Sequence, residues 1–287
     1  MSCSRLVPAL GAIILAGFGL VSAQQLLTGP VHDSGQSVTG AFEGWFKNDD
    51  GTFSLLFGYF NRNLKQDLDI PIGTDNHIDP GGPDRGQPTH FLPRRQWGVF
   101  TVTVPKDFGS SQITWTLTAN GMTTVVPGSL NALWELSPFV DANGNTPPFI
   151  GFSANGPFVQ GPKGHSTALT ATFPDPVNLD LWVADDASVI EGAVRPKTPA
   201  VVITWTKFRG PGMVTFASDK PAVKEDSGFK APPTSKFQGE AATTATFSEP
   251  GDYVLRAQAN DWSGDGGRGF QCCWSNAEVK VTVKPAQ

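Results

Sequence analysis

Cysteine, histidine and charge are all scarce in this chain. It carries 3 cysteines, at positions 3, 272 and 273, and 4 histidines, at 32, 77, 90 and 165. Zinc normally takes four ligands, so the adjacent Cys272 and Cys273 make no metal motif by themselves. With so few histidines there are few general bases suited to neutral pH. The G-x-S-x-G elbow, the H-E-x-x-H pair, the C-x-x-C pair and the phosphate-binding glycine loop are all missing, which removes the common hydrolase, metalloprotease, redox and nucleotide signatures. A glycosidase needs two carboxylates across a cleft, and nothing in the sequence singles out such a pair. Charged residues make up 16% of the chain and the net charge is −5. Without a Lys/Arg cluster, nucleic acid and anionic lipid are not expected as the main partners. Past residue 23 no run is apolar enough to span a membrane.

Turn-forming residues are abundant instead. The 32 glycines and 24 prolines are about a fifth of the chain, against a usual ~12%. Long helices would be broken by that density, whereas short strands joined by tight turns need it. The first 23 residues read as a signal peptide: Arg5 is the only charge, Leu6 to Val21 is apolar, and Val21-Ser22-Ala23 offers small residues before Gln24. Pro8 and three glycines interrupt the apolar run, which is shorter than the ~18 residues of a membrane span. The expectation is cleavage and export, leaving residues 24–287 with no transmembrane segment.

Residues 24–140 are expected to form one β-sandwich. Ala41 to Lys47 and Thr52 to Phe60 read as aromatic-rich strands, and Asn48-Asp49-Asp50-Gly51 between them as a hairpin turn. Residues 61–97 show no sustained period and read as a long loop, which is often functional. Its Ile70, Ile72, Phe91 and Leu92 imply that it packs on something. Alternation then returns in Phe100, Val102 and Val104, and again in Ile113, Trp115, Leu117 and Ala119. Asn120-Gly121 predicts another tight hairpin. Residues 141–148, polar and turn-rich, read as a linker.

Residues 149–287 are expected to form a second sandwich. Strands are predicted at Phe149–Ser153, Ala168–Phe173, Leu179–Ala184, Val201–Lys207, Met213–Ala217, Thr243–Phe247, Tyr253–Asn260 and Glu278–Lys284. The run from Val201 to Asp261 carries the clearest pattern. Val201, Ile203 and Trp205 alternate with Val202, Thr204 and Thr206, Gly210-Pro211-Gly212 forces a turn, and Pro250-Gly251 turns the chain again before Tyr253, Leu255, Ala257 and Ala259. The order W-x-K/Q-x-x-G-P-G-x-V-x-F … F-x-x-P-G-x-Y-x-L-R-x-x-A-x-D resembles the PKD-like (polycystic kidney disease-type) β-sandwich domains of exported and cell-surface proteins. That resemblance spans residues 149–284 and implies an immunoglobulin-like fold with a protein or glycan partner. Gly251-Asp252-Tyr253 also resembles a tyrosine corner. The polar stretch from Asp219 to Glu240 is longer than the resemblance leads one to expect. The N-terminal half resembles no family in particular. The fold class expected is all-β, two tandem immunoglobulin-like antiparallel sandwiches.

Four groups of residues are candidates for chemistry. In the last loop, Trp262, Arg268, Phe270 and Trp274 are placed to stack on a sugar or anchor a protein, or equally to plug the end of the core. If they form a contact surface, Trp262 and Trp274 should be replaceable by Ala without loss of fold. Cys272 and Cys273 could form a vicinal disulfide in an oxidising compartment, strained because adjacent Cα atoms are only ~3.8 Å apart, or pack as two small thiols. Asp75, His77, Asp79 and His90, with Asp84 between them, could offer oxygen and imidazole to a metal, or simply cap turns. Asp175, Asp185, Asp186 and Asp261 could hold calcium between strand ends, or be solvated. No other cofactor is expected. The function expected is a non-catalytic binding or adhesion protein of the periplasm, envelope or extracellular space, recognising a protein or carbohydrate surface. Two rivals remain: a secreted metal-dependent or hydrolytic enzyme using residues 75–90, and a structural envelope subunit.

Overall fold

The computed structural model describes residues 32–142, 144–188, 200–226, 228–262 and 272–286. The expected signal peptide, Arg268 and Phe270 lie outside the described residues.

The first half folds from eight strands: β1 (Val38–Lys47), β2 (Phe53–Asn61), β3 (Leu68–Asp69), β4 (Asn76–Asp79), β5 (His90–Phe91), β6 (Arg94–Val104), β7 (Gln112–Ala119) and β8 (Met122–Ser129). Sheet β1-β2-β6 packs on sheet β4-β7-β8, and β3 pairs with β5. Alternation places Leu55, Phe57, Phe100, Val102, Ile113, Trp115 and Leu117 between the sheets. Both hairpins form as the turn residues require. Gly51 N–H donates to the Asn48 carbonyl at 2.9 Å, and Asn120 and Gly121 adopt φ of 49° and 76°, the left-handed pair of a two-residue hairpin. The stretch read as a long loop instead contains β3, β4 and β5. The two or four residues of each are too few to show a period, and their partners define them as strands: Asn76–Asp79 pairs with Leu117–Thr114 of β7.

The second half contains β9 (Phe149–Gly151), β10 (His165–Thr172), β11 (Val177–Asp185), β12 (Val201–Arg209), β13 (Val214–Phe216), β14 (Lys224–Glu225), β15 (Phe237–Phe247), β16 (Gly251–Asp261) and β17 (Trp274–Lys284). Sheet β10-β17-β16-β12 packs on sheet β13-β15-β11-β9, and β14 is added beside β15. The protein is therefore all-β, two immunoglobulin-like sandwiches in tandem. One pairing departs from the antiparallel expectation, since β10 runs parallel to β17 with His165 opposite Ala277 and Thr172 opposite Lys284. Parallel neighbours need a long connection, and here β11 to β16 supply it. The predicted alternation holds: Val201, Ile203, Trp205, Tyr253, Leu255, Ala257 and Ala259 are buried in one core.

Tyr253 forms the corner. Its hydroxyl donates to the Glu249 carbonyl at 2.8 Å and accepts from Gly212 N–H at 3.2 Å. A side chain on Gly210 would collide with the Tyr253 ring, and Gly210 sits at φ +138°. The G-P-G turn is thus built around the tyrosine. Tyr253→Phe should cost about 1–2 kcal/mol of stability by removing both hydrogen bonds. Urea denaturation measures this, and an unchanged midpoint would show that the corner contributes nothing.

Residues 32–287 cluster as one compact unit, and the contacts between the sandwiches explain why. The outer face of the β10-β17-β16-β12 sheet leans on the first sandwich. Phe208 is buried in the first sandwich's core, and its carbonyl accepts from Thr89 N–H at 3.1 Å. Arg209 makes a two-pronged bond to Asp84 at 2.8 and 2.9 Å and donates to the Gln87 carbonyl. Arg256 and Asn276 both donate to the Gly98 carbonyl, at 3.2 and 2.9 Å. Gly98 N–H donates to Glu43 at 2.7 Å, and Glu43 pairs with Arg95 at 2.5 Å. Glu43 is half-buried, and desolvation raises its carboxyl above the ordinary range against the opposing pull of Arg95.

Candidate functional site

Three of the regions singled out by sequence can be placed against this frame, together with one that sequence reasoning missed. At the base of the last loop, Cys272 and Cys273 are joined by a disulfide. Both are buried, at 2% and 0% exposure, and both disulfide sulfurs face the Asn145 carbonyl. Trp262 is half-buried, and its indole N–H donates to the Ser188 carbonyl. Trp274 is 3% exposed and packs with Phe46, Leu56 and Leu136 of the first half. A ring in that position cannot stack on a ligand, and its loss would open the core. Arg268 and Phe270 lie outside the described residues.

Beside this disulfide the stretch read as a linker is anchored. Asn145 is buried and donates to Asp261 at 2.5 Å. Asp186 accepts from Thr146 N–H and its hydroxyl at 3.2 and 2.9 Å. Asp185 is fully buried and accepts from Ala187 N–H at 2.7 Å. Burial, with the charges of Asp261 and Asp186 nearby, pushes the Asp185 carboxyl up to about 7. Asp175 is elsewhere, exposed on the turn before β11, whereas Asp185 ends that strand. The four carboxylates proposed for calcium are thus not one cluster.

The residues proposed for a metal in the 75–90 stretch also separate. His77 sits 3.5 Å from Asp79 and contacts the Gly73 carbonyl. His90 instead lies between Asp67 and Asp69, at 3.4 and 2.9 Å. Lys207 bonds the same Asp69 at 3.1 Å. Asp75 is exposed, and its carbonyl accepts from Thr118 N–H. Among the described residues no group of three or more His, Cys, Asp or Glu is arranged to hold a metal ion. The stretch instead forms the seam between the sandwiches, through Asp69, Asp84, Gln87 and Thr89.

The missed region is a cleft of about 510 Å³ in that seam. One wall is β6 of the first sandwich, presenting Thr101 and Thr103. The other is the turn into β10 and the outer face of β17, presenting Lys163, His165, Ser166, Glu278 and Lys280. Register explains the outer face: Ala277, Val279 and Val281 point into the core, so Glu278 and Lys280 point out. Asn276 forms part of the back wall with all its polar atoms engaged, donating to Gly98 and Pro162 carbonyls and accepting from Arg256. Burial raises the Glu278 carboxyl, opposed by Arg256, Arg209 and Lys280. His165 stacks on Phe152 with ring centres 4.6 Å apart, and burial lowers its pKa. The alternating V-K-V-T-V-K of β17 showed which residues face outward, but not that β6 stands opposite them.

No family model matches the sequence, and no curated protein matches it either. Among solved structures, the PapD-like domain 7 of human CEP192 is similar at 12% identity, over 53% of this chain and 94% of that one, with a TM-score of 0.25. The D00-D0 domain of intimin is 11% identical over 85% of this chain and 99% of its own, with a TM-score of 0.26. CfaE, the adhesive subunit of CFA/I fimbria of enterotoxigenic Escherichia coli, is 7% identical over 89% of this chain and 81% of its own, with a TM-score of 0.24. At these scores the likenesses carry no argument about what this chain does.

Proposed function

We propose that the protein is an exported, non-catalytic recognition module that binds a protein or carbohydrate ligand at a cell envelope or outside the cell. The observation that carries this reading is the seam. Two sandwiches are locked together by buried polar and aromatic contacts, and between them they leave a cleft whose polar lining includes Lys163 and Lys280, which make no salt bridge among the described residues. A rigid scaffold presenting a preformed polar cleft suits binding. The apolar leader at residues 1–23 and the turn-rich all-β chain support export.

Co-sedimentation of the purified protein with envelope fragments and insoluble polysaccharides tests the reading. Saturable pelleting is expected. No pelleting with any of them would overturn it. Trp262→Ala locates the contact: pelleting reduced by that change assigns it to the end of the second sandwich, and unchanged pelleting assigns it to the seam.

A further inference from the structure

We propose that the seam cleft binds an acidic saccharide, a polyhydroxylated ring bearing a carboxylate or sulfate. The inference rests on the recognition reading above and names its ligand class. A volume of about 510 Å³ falls within the roughly 300–1,000 Å³ of small-molecule sites. The lining is polar and its ionic balance is positive. Lys163 and Lys280 are exposed cations that make no salt bridge among the described residues; Glu278 is the one acid in the lining, and Asp50, outside it, feels the charge of Lys163. A ligand anion would give these ammonium groups the direct ionic contact that no carboxylate among the described residues makes.

The neutral groups suit the rest of such a ligand. The hydroxyls of Thr101, Thr103 and Ser166 each donate and accept, which matches sugar hydroxyls. His165 Nε2 is buried without a hydrogen-bond partner among the described residues. Burial favours the neutral imidazole, so His165 can meet either a donor or an acceptor after a small side-chain shift. The back wall is already fixed, because Asn276 and Gly98 are held by Arg256 and Glu43. Binding therefore orders little besides the two lysines, which keeps its entropic cost low.

Isothermal titration at low salt, where ionic contacts are least screened, compares a uronic-acid trisaccharide, its neutral methyl ester and a sulfated trisaccharide. The acid should bind at least about tenfold more tightly than the ester, since a charge-assisted hydrogen bond contributes about 1.5–3 kcal/mol. The sulfated sugar shows which anion the lysines prefer. Lys163→Ala/Lys280→Ala should abolish the difference while leaving the fold intact, because both side chains are exposed. Equal binding of acid and ester, unchanged affinity in the double variant, or no binding of either charged sugar overturns the proposal. If the protein still pellets with polysaccharide but the acidic trisaccharide does not compete, the cleft assignment falls and the recognition reading stands. If the free sugar binds and nothing pellets, the cleft assignment stands and recognition of an insoluble surface falls.

Discussion

Asp185→Asn is expected to stabilise the protein at pH 8 by roughly 3 kcal/mol, and by progressively less as the pH falls towards 4. The carboxyl is fully buried, and burial with Asp261 and Asp186 nearby lifts its folded pKa from 3.8 to about 7. In the unfolded chain it titrates near ~3.9. Between those values the unfolded state has lost the proton and the folded state keeps it. Stability attributable to this group therefore falls as pH rises from about 4 to about 7, and stays low above that. A shift of about three pKa units corresponds to about 4 kcal/mol. Asparagine removes the ionisation but offers Ala187 N–H a neutral acceptor in place of a charged one, which returns about 1 kcal/mol. Urea titrations of both proteins at pH 8, 6 and 4 measure the difference directly, because the other titrating groups cancel. A difference independent of pH, or a variant less stable at pH 8, would show that Asp185 is not held in its neutral form.

The acidic end of the second sandwich shows what sequence can and cannot show. Asp185 and Asp186 stood out as strand-end carboxylates, but their opposite fates did not. Asp186 keeps two backbone and hydroxyl donors, whereas Asp185 faces Asp261 in a dry site. Only the closure of residues 145–148 over the strand ends decides which is which. Stretches of seven residues with one buried face were legible, as in Ile113–Ala119 and Val201–Lys207, because period two is written in the side chains. The start of β15 was not. Phe237-Gln238-Gly239-Glu240 lacks alternation, and β11 and β14 define it by pairing on either side. Nor was the cleft legible, since its walls come from positions 101–103, 163–166 and 278–280. Such a meeting is fixed by how two sandwiches dock, which local periodicity does not encode.

Trp274→Ala is expected to cost about 3–5 kcal/mol, the range for a buried Trp reduced to a methyl group. The sequence left open whether this aromatic contacts a ligand or plugs the end of the core. Its partners Phe46, Leu56 and Leu136 are far away in sequence, so nothing local marked it as core. In the structure it plugs the seam: a side chain at Gly98, which sits at φ +53°, would run into its indole. That close approach brings the Gly98 carbonyl to Arg256 and Asn276. Removing the ring should therefore open a cavity and also loosen the polar contacts around Gly98. The expected result is a lower urea midpoint with faster amide exchange at Phe46, Leu56 and Gly98. Trp274→Phe separates packing from hydrogen bonding, because Nε1 of Trp274 has no acceptor among the described residues. The smaller ring keeps most of the apolar contact and should lose much less stability than alanine. Equal losses for both variants would mean that the indole N–H matters, and no loss for either would mean that Trp274 does not fill the seam. Lost binding in Trp274→Ala would then report a disordered seam rather than a missing ligand contact, whereas the half-buried Trp262 can be replaced at small cost and tests contact directly.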